Sequence, residues 1–124
     1  MRLTGLKPEE ALQIAVMDWI AIKYPKIFDD VYHFANERKC NPRRGYILKR
    51  MGVKPGVADI FIDVPKPDKD GKDYRGLWME LKTGSRKPTE AQRLFLARKS
   101  VQGYCTVCVV GFDAAVAFIE GYLN

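Results

Sequence analysis

Three residues of this sequence are of the types that phosphodiester hydrolysis requires, and two short apolar runs carry them. Asp59 interrupts residues 57–64, and Glu80 and Lys82, two positions apart, lie in residues 77–82. Two carboxylates reaching inward from adjacent strands can hold one divalent ion, since hard oxygen donors suit Mg²⁺ or Mn²⁺. Such an ion neutralises charge on a scissile phosphate and makes a water nucleophilic. A lysine beside it can orient or deprotonate that water, or steady the developing charge. The plainer reading is an ion pair between neighbouring strands, and exposed pairs of that kind contribute little. Both runs are otherwise apolar, and charges in such places are unusual without a task, so the catalytic reading is preferred.

The elements that must position this set follow from periodicity. In 57–64 the alternation puts Ile60 and Ile62 on one face and Asp59, Phe61 and Asp63 on the other. In 77–82 it separates Leu77, Met79 and Leu81 from Trp78, Glu80 and Lys82. A Pro- and Asp-rich segment containing Asp70-Gly71 joins the two runs, which is a hairpin signal. A turn at Asp70 and Gly71 sets Asp59 opposite Lys82 and Phe61 opposite Glu80. Asp59 and Glu80 are then diagonal neighbours, their Cα atoms about 7–8 Å apart. A slip of one residue would carry Asp59 to the wrong face.

Around this hairpin, residues 8–23 read as a helix opened by Pro8, with Leu12, Val16 and Trp19 toward the core and Pro25 ending the pattern. Residues 31–35 read as a short strand, 36–44 as a polar, basic loop, and 43–51 as a short helix closed by Gly52. Residues 89–102 read as a helix stopped by Gly103, and 104–110 as a buried strand. Asp113 is placed to cap a last helix reaching about residue 122. This order predicts an α/β fold, a mixed sheet flanked by helices, with residues 1–124 as a single domain.

The chain has 124 residues, 47% of them hydrophobic, enough for a core without disulfide or metal staples. Its net charge of +6 favours a polyanionic partner. Arg38, Lys39, Arg43, Arg44, Lys49, Arg50 and Lys54 follow one another with no acid among them. A solvated basic face is the plain interpretation, and a DNA-phosphate-contacting surface the sharper one. The odd cysteine count and the lack of a signal peptide point to a reducing, cytoplasmic setting. No apolar stretch approaches a membrane span, and no Walker-type glycine loop implies a nucleotide cofactor. Cys105 and Cys108 point to opposite faces of a strand, which disfavours a shared zinc and favours core packing. The stretch 68–71 reads as a turn, and His33, the sole histidine, as structural. Gln92, three residues after Thr89, fits a capping box as well as it fits a site.

The residues quoted so far resemble a known family. The segment Gly52-Val53-Lys54-Pro55-Gly56-Val57-Ala58-Asp59-Ile60-Phe61 is similar to the G-V-x-x-G-x-P-D-L-F signature of VRR-NUC domains. Gly76-Leu77-Trp78-Met79-Glu80-Leu81-Lys82 resembles their G-L-x-x-E-x-K strand, and Lys87-Pro88-Thr89-Glu90-Ala91-Gln92 the S-x-x-Q entry to the next helix. Gly103-Tyr104 and the final helix also fit, so the resemblance spans most of the chain. Ala58 stands where the signature has proline, a difference of backbone and not of chemistry. The resemblance implies a PD-(D/E)XK nuclease with a restriction-endonuclease-like core. It implies metal ligation by Asp59, Glu80 and the Leu81 carbonyl, with Lys82 as the catalytic lysine. It further implies site roles for Gln13, for Gln92 and for an acid on the first helix. That acid is Glu9 or Glu10, both of which share a helix face with Gln13, and Glu9 is slightly preferred. Stand-alone domains of this length resemble phage and bacterial proteins, which implies homodimers acting on branched DNA such as four-way junctions. The last helix and the strand before it are candidate dimer surfaces. A flap- or single-strand-directed nuclease, and a non-catalytic nucleic-acid-binding module of the same fold, are the alternatives.

Overall fold

The computed structural model describes residues 1–35, 41–67, 70–71 and 73–124. Helix α1 (Pro8–Lys23) opens the chain, with proline in its first turn and the Glu10 carboxylate accepting from Lys7 N at 2.9 Å. A single 3₁₀ turn (Phe28–Asp30) leads into β1 (Val31–His33). Helix α2 (Pro42–Arg50) is capped by Asn41, whose side chain accepts from Arg44 N. Strands β2 (Ile60–Ile62) and β5 (Leu77–Lys82) flank a small outlying ladder of β3 (Lys66–Pro67) and β4 (Asp73–Tyr74). Helix α3 (Glu90–Val101), strand β6 (Cys105–Val110) and helix α4 (Phe112–Leu123) complete the chain.

The main sheet runs β1-β2-β5-β6. Its first two pairings are antiparallel and β5–β6 is parallel, with α3 as the crossover. The mixed α/β architecture expected from the sequence is therefore the one observed. Alternation along the strands divides the side chains between two clusters. Ile60, Ile62, Leu77, Met79 and Leu81 pack with Val16 and Ile20 of α1 and Ala115 and Ile119 of α4. On the other face Ala58, Trp78 and Phe95 of α3 form a second cluster, joined by Phe61 and Tyr104. All six residues of β5 are buried, because helices cover both of its faces. Each large aliphatic side chain buried there stabilises the fold by about 1.5–3 kcal/mol. Among the described residues no helix is long and apolar enough to cross a membrane.

Three expectations are corrected. The pairings Ile60↔Met79, Phe61↔Trp78 and Ile62↔Leu77 set Asp59 opposite Glu80, and Lys82 lies two residues further along. The cause is the outlying ladder, which pairs Lys66 with Tyr74 and Pro67 with Asp73. Between the two ladders Asp63, Val64 and Pro65 face only Arg75 and Gly76. The net slip is two residues, so every side chain keeps its predicted face. Second, β6 is an edge strand in which only Val109 is buried, since it has β5 as its one partner. Third, α4 starts directly after Gly111, whose φ of +86° turns the chain from strand to helix within one residue. Asp113 therefore lies in the first turn and not at the cap.

Candidate active site

At Asp59 the β2 strand leaves the ladder, and this departure builds the site. Leu81 N–H points toward β2, where a continued ladder would offer it a backbone carbonyl. Asp59 Oδ2 accepts that hydrogen bond instead, at 2.8 Å. The bond fixes the carboxylate against β5 and leaves its second oxygen for other partners. The Asp59 carbonyl is held from the other side by Phe34 N at 3.0 Å and by His33 Nδ1 at 2.8 Å. His33, read as structural, thus helps to hold the backbone of the site. The Leu81 carbonyl points to the same side of β5 as its N–H, toward Asp59.

Glu80 lies directly across from Asp59 in a pair of the kind whose side chains approach most closely. It is 1% exposed, and neither carboxylate oxygen accepts a hydrogen bond. Its nearest cation is Lys82 Nζ, 3.5 Å from Oε2 and itself 7% exposed. Burial first, then the negative charge of Asp59, pushes the Glu80 pKa up to about 8, although Lys82 pulls it down. A buried carboxylate without hydrogen-bond donors is rare in folded proteins, and Lys82 alone does not satisfy this one.

The donor set fits a hard divalent cation. Asp59, Glu80 and the Leu81 carbonyl offer only oxygen, as Mg²⁺ and Mn²⁺ prefer, and Mg²⁺ commonly keeps several waters beside one or two carboxylates. Among the described residues no third His, Cys, Asp or Glu side chain joins this pair in a metal-holding group. Glu10 is engaged at the start of α1, whereas Glu9 lies 4.0 Å from Arg86 of the loop after β5. Gln13 Nε2 is buried without a hydrogen-bond partner. Gln92 is buried and reciprocally caps α3, its Oε1 accepting from Thr89 N at 2.8 Å and its N–H donating to Thr89 Oγ1 at 3.2 Å.

Sequence reasoning missed two neighbours of the acid pair. Cys108 sits beside Glu80 in the β5–β6 register, and burial and the Glu80 charge raise its thiol pKa. Both cysteines are partly buried; Cys105 packs against the main core, as expected, whereas Cys108 neighbours the acid pair. Phe34 sits beside Asp59 on the opposite flank. A parallel alignment of 77–82 with 105–110 would have exposed the first neighbour, but nothing in the sequence fixes that alignment.

Of the basic run, Arg43, Arg44, Lys49 and Arg50 are exposed on α2, and Lys54 is exposed just after it. None of the five is ion-paired among the described residues. Arg38 and Lys39 lie outside the described residues.

A search of solved structures finds a chain described as a "VRR_NUC domain protein". It superposes with a TM-score of 0.78 at 30% identity, covering 98% of this chain and 91% of that one. Neither a scan of protein-family models nor a search of curated proteins returns a match.

Proposed function

The chain belongs to the VRR-NUC domain family, and from that membership and the geometry of its site we propose that it is a divalent-metal-dependent endonuclease of the PD-(D/E)XK type acting on branched DNA. The observation that carries the reading is Glu80, a carboxylate almost wholly buried with no hydrogen bond to either oxygen, facing a second carboxylate across the sheet. Asp59, Glu80 and the Leu81 carbonyl would hold Mg²⁺ or Mn²⁺. When bound, the ion supplies charge neutralisation at the phosphate and lowers the pKa of a coordinated water, which makes that water easier to deprotonate.

The protein's own groups do the remaining work. Asp59 keeps one oxygen on Leu81 N, which fixes its carboxylate before any ligand arrives. Lys82 keeps its ammonium inside the site at 3.5 Å from Glu80. There it is poised to orient the attacking water or to steady charge on the phosphate, a contribution of about 10²–10⁴-fold for a proton-transfer role. Gln92 caps the start of α3, and we assign supporting roles in the site to it and to Glu9 and Gln13 of α1. The exposed Arg43, Arg44, Lys49, Arg50 and Lys54 carry the phosphate backbone, with Arg38 and Lys39 of the same run.

A four-way junction is resolved by two symmetric cuts, so we assign the active species to a homodimer with two sites related by a two-fold axis. Cleavage of duplex, flap, splayed and four-way DNA of one sequence, with Mg²⁺, Mn²⁺ and chelator in parallel, tests the proposal. Metal-dependent cutting that favours the four-way substrate is expected. Binding of all four without cutting would instead favour a non-catalytic module.

A further inference from the structure

The β1–β2–β5–β6 registers place Phe34, Asp59, Glu80 and Cys108 in one row across the sheet, on the face that α3 covers only in part. Further along the same face, Tyr32, Phe61, Trp78 and Thr106 form a parallel row. At the β1 end both rows finish in an aromatic side chain that is not buried: Phe34 is 39% exposed and Tyr32 45%. Phe34 is fixed on its inner side. Its ring lies 5.5 Å from that of Trp78, which in turn stacks on Phe61 at 4.3 Å. Its N–H is bonded to the Asp59 carbonyl, so its place relative to the acid pair is set by the backbone.

Phe34 lies one strand spacing, about 5 Å, from Asp59 in the sheet, so a nucleotide adjoining a phosphate held over Asp59 and Glu80 comes within reach of it. We infer that the outer face of Phe34, with Tyr32 beside it, is a stacking platform for an unpaired nucleobase flanking the scissile phosphate. The inference rests on the nuclease reading of the site and narrows its substrate class. Aromatic faces accept any base, since every base has a π-face. A base inside an intact duplex is already covered on both sides and cannot use the platform without being extruded. Flaps and single-stranded ends offer such a base at no unpairing cost, and a branch point offers one once its terminal pair opens. The net charge of +6 and the unpaired cations of α2 suit the same polyanionic occupant.

The test is binding without divalent metal, which separates recognition from cutting. An oligothymidine single strand and a duplex of equal length, both fluorescently labelled, are titrated with wild type, Phe34→Leu, Phe34→Ala and Phe34→Trp. Phe34→Leu keeps the apolar contact with Trp78 and removes the π-face, which guards against loss of fold. Phe34→Leu and Phe34→Ala should weaken single-strand binding about ten-fold. Phe34→Trp should preserve it, and duplex affinity should not change. Wild-type single-strand affinity in Phe34→Leu, or an equal loss for both DNAs, overturns the platform. The single-strand contrast in a protein that cuts no substrate would instead leave the platform standing and refute the hydrolytic reading.

Discussion

Glu80 is held in the folded protein as an acid whose charge is disfavoured, and the sign of that effect fixes two consequences. Its folded pKa of about 8 lies above its ordinary value of 4.5, so between those limits the folded state holds a proton that the unfolded state has lost. The stabilisation from the protonated form is complete below about pH 4.5 and is lost as pH rises toward 8. Without metal, stability should fall across that window by an amount on the order of a few kcal/mol. Glu80→Gln, which cannot ionise, should flatten this part of the profile in urea unfolding. A cation arriving at neutral pH must displace the proton. Calorimetric titration with Mg²⁺ in two buffers of different ionisation heat should therefore report release of close to one proton per ion bound. Identical heats in the two buffers would contradict the assignment of Glu80 as a protonated ligand-in-waiting.

The elements that deliver these residues are short, and their neighbours hold them. β2 has three residues, so the position of Asp59 depends on the loop before it. Gly56 of that loop has φ +79°, and a Cβ there would lie 2.5 Å from the backbone carbon of Ala91 in α3. Gly84, at φ +59°, faces open space. Gly84→Ala should cost about 1 kcal/mol, the penalty of a left-handed residue. Gly56→Ala should cost clearly more and weaken Mn²⁺ binding, because α3 must shift away from the Asp59 loop. Equal melting temperatures for the two variants would show that this contact does not position the site.

The same elements mark what was legible in the sequence. Period-two alternation in 57–64 and 77–82 put Asp59, Glu80 and Lys82 on one face, and the Thr89–Gln92 spacing marked the start of α3. The register was not legible, because residues 63–76 hide a second ladder inside what reads as a simple turn. Parity survived because the slip is even. The edge position of β6 was not legible either, since a run such as Cys105–Val110 looks the same at the centre of a sheet as at its rim. Strand order is decided by tertiary pairing, and the neighbours Phe34 and Cys108 became visible only with it.

At the scale of the whole molecule, charge and symmetry govern what the site meets. Neutralising Arg43, Arg44, Lys49 and Arg50 together should weaken DNA binding with little sequence preference. It should also flatten the salt dependence by about 0.9 in log–log slope for each phosphate the protein no longer neutralises. An unchanged slope would remove α2 from the interface. The free edge of β6 carries no charged residue and ends at Val110, 50% exposed. Edges of this kind invite pairing with another chain. Light scattering at micromolar concentration should find a homodimer, and a strict monomer that cuts duplex as fast as junctions would refute junction resolution while leaving hydrolysis intact. The central claim, that Asp59 and Glu80 hold the ion while Lys82 acts on the reaction, is tested most directly by Lys82→Ala saturated with Mn²⁺. This variant, still folded, should bind the ion nearly as wild type does and cut branched DNA roughly a hundred-fold more slowly or worse. Cleavage at the wild-type rate, or loss of the ion together with the lysine, would contradict it.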